Sequence, residues 1–133
     1  YRAHPPAEHM AMPNARVHVT AMLETRGAFE RLDEIGAVPG IDGLTIGPTD
    51  LAQDLGVLGT PAQRDVLREH RVRLGEAARK HGKAVAMAVD TMEAVREVIA
   101  LGATIVNYSS DVGILRAGYT AAVAEIRKPK ETS

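Results

Sequence analysis

The chain has 133 residues, 45% hydrophobic and 25% charged, so it can bury a modest core and fits within one domain. A formal net charge of −1 creates no field that would attract nucleic acid or an anionic membrane surface. The absence of cysteine excludes disulfides, thiolate nucleophiles and Cys-ligated zinc, and it favours a reducing, cytoplasmic compartment. No apolar run approaches the roughly 18 residues that span a bilayer.

The first 14 residues contain three prolines and two histidines without a steady period, so we expect an irregular lead-in from a preceding segment. The start shows neither an initiator Met nor the features of a signal peptide, and we therefore expect the chain to begin inside a longer protein. His4 and His9 fall in this lead-in. The ordered domain is predicted over 15–128, with a frayed tail over 129–133.

The first two strand and helix units follow the lead-in. The β-rich run 16–23 predicts a strand, and apolar residues then recur at helical spacing until glycine and proline end the pattern at 36–40. The short apolar run 43–46 predicts a second strand that ends at a Gly-Pro pair. A short helix is expected over 49–55, before a glycine-rich turn.

A long helix and two further strands complete the pattern. Pro61 suits the first turn of a helix that ends near Gly82, where glycine is the expected terminator. The runs 83–89 and 104–108 predict the third and fourth strands, with Asp90 and Asp111 as caps of the helices that follow. The apolar positions of these three helices are Leu67, Leu74, Ala77 and Ala78, then Met92, Val95, Val98 and Ile99 facing inward, and finally Ile114, Leu115, Tyr119, Ala122, Val123 and Ile126.

This alternation of strands and helices predicts an α/β fold. Continuously apolar strands indicate parallel pairing with both faces of the sheet covered. A (β/α)₈ barrel has eight such units in about 250 residues, so about four units predict half a TIM barrel. A small open α/β sheet is the competing architecture.

Acidic residues stand at the carboxyl ends of the first two predicted strands, where parallel α/β folds place their functional groups. Neighbouring strands lie roughly 5 Å apart, so Glu24 and Asp50 can face one hard divalent cation. Their ordinary alternatives are an ion pair of Glu24 with an arginine and a helix cap at Asp50. The helix that follows Gly47 and Pro48 could hold a substrate carboxylate, although Gly-Pro also forms simple turns.

Histidine and serine offer weaker candidates. His18, within a strand, is expected to have a hydrogen-bonded structural role, facing either the barrel interior or the helix layer. His70 and His81 are expected at the surface. Ser109 and Ser110 precede a helix without a suitably placed histidine after them, so we expect a cap rather than a nucleophile.

Two longer motifs carry a family resemblance. Residues 22–26 (MLETR) and 39–52 (PGIDGLTIGPTDLA), followed by 82–83, 101–103 and Asp111, resemble the class II pyruvate aldolases in order and spacing. That family includes 4-hydroxy-2-oxoheptanedioate aldolase and 2-dehydro-3-deoxyglucarate aldolase, with the citrate lyase beta subunit as a more distant relative. The resemblance implies the C-terminal half of a TIM barrel of the phosphoenolpyruvate/pyruvate type.

The resemblance also implies the site. Glu24 and Asp50 would bind Mg²⁺ or Mn²⁺, with Co²⁺ as a further candidate, and pyruvate would lie against Gly47, Pro48, Thr49 and Asp50. Pro48 has no amide proton, so the amides of Thr49 and Asp50 would donate. The implied reaction forms or cleaves a 4-hydroxy-2-oxo acid, giving pyruvate and an aldehyde through a metal-stabilised enolate. The base and a substrate-binding arginine would come from the first half of the barrel, so no catalytic residue is assigned here.

Two alternatives stay open. An acyl-CoA lyase of the citrate lyase or malyl-CoA lyase branch would keep the chemistry with another substrate, but the loops after Gly47 and Asp111 carry no basic cluster for a nucleotide. A catalytically incomplete half-barrel would act only in assembly. By resemblance we expect a homo-oligomer, a hexamer that exchanges its terminal helix, acting on small molecules without nucleic acid or membrane partners.

Overall fold

The computed structural model describes residues 17–128, so the predicted lead-in with His4 and His9 and the predicted tail lie outside the described residues. Four strands and six helices occupy this range. They are β1 (Thr20–Leu23), α1 (Arg26–Glu30), α2 (Leu32–Ala37), β2 (Gly43–Ile46), α3 (Pro48–Asp54), α4 (Gln63–His81), β3 (Ala84–Val89), α5 (Met92–Ala100), β4 (Ile105–Tyr108) and α6 (Asp111–Ile126).

The four strands form one parallel sheet in the order β1-β2-β3-β4. Each predicted strand is therefore present. β1 begins at Thr20, and residues 17–19 before it are not part of a strand. Sequential order with a helix after every strand is the arrangement of consecutive β/α units. All four carboxyl ends consequently lie along one edge of the sheet.

The two faces of the sheet differ in chemistry. The side chains of one face pack under the helices, and those of the other face line an open cavity of about 540 Å³. The buried face carries Leu23, Leu44, Ile46, Val85, Met87 and Val89, and its helical partners include Phe29, Leu51, Leu74, Ala78 and Val98. The open face carries Thr20, Met22, Thr45, Ala86, Ala88 and Asn107. Within residues 17–128 the second face is only partly covered, because Met22 is 60% exposed there whereas Thr45 and Ala86 are buried.

Helix boundaries follow local side-chain hydrogen bonds. Thr91, rather than the predicted Asp90, caps α5 by accepting a bond from the Ala94 amide at 3.1 Å. Ser110, rather than Asp111, caps α6 by accepting from the Gly113 amide at 3.1 Å, as expected for a hydroxyl before a helix. Gly82 ends α4 in the left-handed conformation at φ 63°, which confirms the predicted terminator.

Several side chains lie elsewhere than the pattern predicts. Met92 and Ile99 are 56% and 55% exposed, so only part of the α5 stripe faces inward. His70 is buried against the Phe29 ring, with centroids 4.7 Å apart, and its Nδ1 lies 2.8 Å from the Val66 carbonyl oxygen. The side chain of His81 is only 17% exposed. Both histidines were expected at the surface, but helix packing encloses them.

The terminal helix α6 has no buried residue within the described range. Its exposed apolar side chains are Val112, Ile114, Leu115, Tyr119, Val123 and Ile126. Across residues 17–128, none of the helices combines the length and apolar character that crossing a lipid bilayer would require.

Candidate site at the carboxyl edge of the sheet

The ends of β1 and β2 bring Glu24 and Gly47 together. Leu23 pairs with Ile46 in the parallel register, and the Gly47 amide donates to the Leu23 carbonyl at 3.2 Å. The next residue of each strand therefore lies at the same level of the sheet edge. This placement agrees with the predicted neighbouring positions of the two motifs.

Gly47 leaves room for the Glu24 side chain. A Cβ atom built on Gly47 would lie 2.6 Å from Glu24 Oε2, 3.0 Å from Glu24 Cβ and 3.3 Å from Met22 Sδ. Because real Cβ atoms do not approach neighbours so closely, a larger residue at position 47 would displace the carboxylate. Gly47 is buried and Glu24 is half-buried, so the carboxylate is partly sheltered at this edge.

Asp50 projects from the first turn of α3, three residues beyond Gly47. Gly47 is the N-cap residue, Pro48 occupies the first helical position, and the Leu51 amide closes the turn on the Gly47 carbonyl at 2.9 Å. Pro48, Thr49 and Asp50 line the 540 Å³ cavity over the open face together with Gly47. The four predicted substrate-binding residues therefore border one space.

The ordinary alternatives for the two acids are not realised in the described range. Glu24 and Asp50 make no side-chain hydrogen bond or ion pair with any residue in 17–128. The α3 cap uses no side-chain hydrogen bond, so Asp50 does not cap its own helix. Among these same residues, no three His, Cys, Asp or Glu side chains form a group that could hold a metal ion.

His18 contributes to the same cavity rather than to the helix layer. It lies just before β1 and lines the open face with Thr20 and Met22. Its exposure does not match the expected structural role within a strand. The ring nitrogen Nε2 lies 3.0 Å from the Cβ position that a side chain on Gly43 would occupy.

A second cavity of about 610 Å³ adjoins the first and was not predicted. The two cavities share Pro48, Thr49, Ala88 and Asn107. The second is also bordered by three arginines of α4 at positions 64, 68 and 71 and by the beginning of α5. Two signals could have revealed it: the arginines recur at helical spacing, and Asn107 is a polar side chain near the end of an apolar strand.

Known proteins resemble the chain in sequence over most of its length. The 5-keto-4-deoxy-D-glucarate aldolase of Shigella dysenteriae serotype 1 is 32% identical over 110 residues, which cover 83% of this chain and 43% of that protein. The chain therefore spans less than half the length of this curated relative. The sequence profile described as HpcH/HpaI aldolase/citrate lyase matches residues 2–117.

Solved structures extend the resemblance to the fold. An HpcH/HpaI aldolase from Desulfitobacterium hafniense DCB-2 superposes with a TM-score of 0.83 at 25% identity, over 99% of this chain and 51% of that chain. An HpcH/HpaI aldolase/citrate lyase family protein from Burkholderia cenocepacia J2315 gives 0.80 at 29% identity, over 91% and 47%. The predicted half of a TIM-barrel-type α/β fold is confirmed. The chain belongs to the HpcH/HpaI aldolase/citrate lyase family.

Proposed function

We propose that this chain supplies one half of an aldolase active site, located at the carboxyl ends of its four strands. The site makes and breaks the bond between pyruvate and an aldehyde. In the forward direction the pyruvate methyl carbon loses a proton and joins the aldehyde carbon, whose oxygen gains a proton to become a hydroxyl. The product is a 4-hydroxy-2-oxo acid, and cleavage is the reverse. The observation that supports this proposal most directly is the position of the Glu24 carboxylate, which lies against the Gly47 backbone. Gly47 immediately precedes the turn formed by Pro48, Thr49 and Asp50.

Glu24 and Asp50 fit a hard divalent cation, with Mg²⁺ or Mn²⁺ the principal candidates and Co²⁺ a further one. Two carboxylates without a partner in the described range, in a chain without cysteine, match the oxygen preference of such ions. The space that a Cβ at Gly47 would fill is occupied by the Glu24 carboxylate. When bound, the cation would supply Lewis acidity toward the carboxylate and keto oxygens of pyruvate.

The turn before α3 would position pyruvate. Gly47 admits close approach because it has no side chain, and Pro48 has no amide proton to donate. The amides of Thr49 and Asp50 belong to the first helical turn, where backbone donors have no partner within the helix. By resemblance, the base that removes the methyl proton and an arginine that holds the substrate would come from the first half of the barrel.

The acyl-CoA alternative gains no support from the arginines of α4. Arg68 is paired with Glu97 at 3.3 Å, and Asp90 and Glu93 line the same cavity. The cavity is therefore mixed in charge rather than basic, and nucleotide phosphates would meet carboxylates as well as guanidinium groups. An acceptor smaller and less charged than a nucleotide suits it better.

A homo-oligomer, a hexamer by resemblance, is part of the proposal. Six exposed apolar side chains of α6 would otherwise face water, and contiguous apolar surface of this kind commonly marks an interface. A second copy of the protein would cover it through the exchanged terminal helix.

Metal binding in the protein that carries this chain tests the proposed ligands. Glu24→Gln and Asp50→Asn each remove an anionic ligand, so Mn²⁺ affinity measured by electron paramagnetic resonance should fall by at least about 100-fold. Gly47→Ala should lower it by roughly 10- to 100-fold, because the added Cβ displaces the Glu24 carboxylate.

Matched controls separate ligand loss from general damage. Glu76→Gln and Asp65→Asn remove exposed acids of α4, and Gly27→Ala adds a Cβ in α1 where nothing lies within 4 Å. All three should keep the wild-type affinity, and none should unfold earlier than the wild type. Unchanged Mn²⁺ affinity in Glu24→Gln and Asp50→Asn would remove the basis of the proposed site.

A further inference from the structure

The segment that carries Glu24 is held by the second β/α unit on both sides. Immediately before Glu24, the Leu23 carbonyl accepts a hydrogen bond from the Gly47 amide at 3.2 Å. Two residues after Glu24, the Arg26 amide donates to Asp54 Oδ2 at 2.6 Å. The Glu24 side chain itself makes no hydrogen bond or ion pair within the described part of the chain. Its direction is therefore set by the backbone between these two bonds and by the contact with Gly47.

Asp54 shares a helix with the second proposed metal ligand. It is the last residue of α3, and Asp50 lies four residues earlier, in the first turn of the same helix. Residues four apart project from the same side of a helix. Asp50 therefore lies on the side of α3 from which Asp54 reaches the loop after β1. One helix thus carries one proposed ligand and also the carboxylate that fixes the loop carrying the other.

The Asp54 carboxylate is occupied by the backbone of α1. Arg26 is the first residue of α1, and the first amides of a helix have no partner within that helix. Asp54 supplies the missing acceptor, and its negative charge strengthens the hydrogen bond. Among residues 17–128, no three His, Cys, Asp or Glu side chains form a group that could hold a metal ion. Asp54 is therefore not grouped with Glu24 and Asp50 as a third ligand.

A second bond of the same kind braces the other end of β1. The Val19 amide donates to Asp42 Oδ2 at 2.8 Å, and these two residues immediately precede β1 and β2. Asp42 and Asp54 are both exposed. The two bonds are thus alike in chemistry and in exposure, but only the bond to Asp54 lies at the carboxyl end of the sheet, beside Glu24. Asp42 offers an internal comparison for the loss of such a bond.

We propose that Asp54 is a positioning residue for the divalent-cation site. By holding the Arg26 amide, it fixes the loop after β1 relative to α3, so that Glu24 and Asp50 can share one cation. Without this bond the loop gains conformational freedom, and cation binding has to order it again. This assignment rests on the proposed function, because it requires Glu24 and Asp50 to be the ligands.

Removing either partner of the bond tests the assignment in the protein that carries this chain. Asp54→Ala removes the acceptor, and Arg26→Pro removes the donor. Proline suits the first helical position, and Thr25 before it is already extended at φ −134° and ψ 156°, as a following proline requires. Each variant should bind Mn²⁺ about 10-fold more weakly by electron paramagnetic resonance, because outer-shell partners orient metal ligands. The double variant should bind no more weakly than the single variants, because all three lack the same bond.

A measurement without metal reports on the loop directly. In the metal-free protein, the Arg26 amide should exchange with D₂O faster in Asp54→Ala than in the wild type, because it has lost its acceptor. Unchanged exchange would show that the bond does not hold the loop and would overturn the inference.

Conservative and matched variants separate positioning from charge and from general damage. Asp54→Asn keeps an oxygen that can accept the bond, so its Mn²⁺ affinity should stay within about 3-fold of the wild type. Arg26→Ala keeps the amide and should bind Mn²⁺ as the wild type does. Asp42→Ala should lower the urea midpoint, as Asp54→Ala does, without changing Mn²⁺ affinity.

Several outcomes would overturn the inference. Wild-type Mn²⁺ affinity in both Asp54→Ala and Arg26→Pro would show that the bond does not position the ligands. An equal loss in Asp54→Asn and Asp54→Ala would show that the carboxylate acts through its charge, and an equal loss in Asp42→Ala would show general damage. If the wild type binds Mn²⁺ no more tightly than Glu24→Gln does, the proposed function fails instead, whatever the Asp54 variants do.

Discussion

At Gly47 the lack of a side chain determines where the Glu24 carboxylate can lie. The two residues follow paired strands, and the carboxylate occupies the space that a Cβ would need. Glycine is thus required at position 47 because the Glu24 side chain lies so close to it. Its φ of −85° does not itself require glycine. The proposed metal site therefore depends on Gly47 as well as on Glu24.

Asp33, which lies outside the proposed site, makes hydrogen bonds that lower its own pKa. Its Oδ1 accepts hydrogen bonds from Lys80 Nζ and His81 Nε2, each at 2.7 Å, and these tie α2 to the end of α4. The hydrogen bond from Lys80, followed by that from His81, lowers the pKa of Asp33 below its ordinary value. Ionised Asp33 therefore stabilises the fold.

The sign of this shift sets a pH dependence. A carboxyl with a lowered pKa in the folded state contributes stability above its unfolded pKa of about 4, and that contribution is lost as pH falls through the folded value. Asp33→Asn should therefore unfold at lower urea concentration than the wild type at pH 7. The two midpoints should converge as the pH falls well below 4. A difference that stays constant into this acidic range would show that Asp33 acts through packing instead.

Residue types at strand ends could be predicted from the sequence, but their surroundings could not. The positions of Glu24 and Asp50 follow from strand ends and from the motif that carries the family resemblance. The enclosure of His70 and His81 depends on which face of α4 meets α2 and Phe29, and that is a tertiary property. The cavity beside Asn107 was missed because the residues that line it come from elements far apart in the sequence.

Helix α4 is held against the rest of the fold by buried apolar residues and by one close backbone contact. Its predicted stripe includes Leu74 and Ala78, which are fully buried. Gly75, next to Leu74, is also buried, and a Cβ there would lie 2.8 Å from the Leu101 carbonyl oxygen. This glycine lets the turn after α5 approach the α4 backbone closely.

Replacing this glycine should therefore destabilise the fold despite the better helix propensity of alanine. Gly75→Ala gains about 1 kcal/mol from propensity, but a clash with a backbone carbonyl forces shifts that cost typically 1–3 kcal/mol. We expect a lower free energy of unfolding in urea. Gly27→Ala, in the exposed first turn of α1, should instead be neutral or stabilising, because nothing lies near its new Cβ. Equal effects of the two substitutions would contradict the close approach at Gly75.

The strands and helices could be predicted from the spacing of apolar residues. Their ends could not, because neighbouring side chains compete to cap the same helix. The four strands and the long helix follow from apolar spacing and from terminators such as Gly82. Around residue 31 the predicted single helix divides into α1 and α2. At both later helices a hydroxyl next to the predicted acid makes the cap, and spacing alone does not rank two neighbouring candidates.

On the scale of the whole molecule, the sheet has one helix-covered face and one open face. The open face carries threonine, alanine, methionine, isoleucine and asparagine where a closed barrel would place its interior. The number of units and the family resemblance predicted half of a TIM-barrel-type fold, and the superposition over about half of a solved aldolase confirms it. An open interior face is what half of a barrel presents, so it follows from the predicted number of units.

Exchange of the pyruvate methyl protons with D₂O, followed by NMR in the protein that carries this chain, tests the central claim most directly. The claim predicts exchange that requires Mg²⁺ or Mn²⁺ and that falls by at least about 100-fold in Glu24→Gln and in Asp50→Asn, because each loses an anionic ligand. Glu76→Gln should exchange at the wild-type rate. Wild-type exchange rates in both site variants with Mn²⁺ present would contradict the claim.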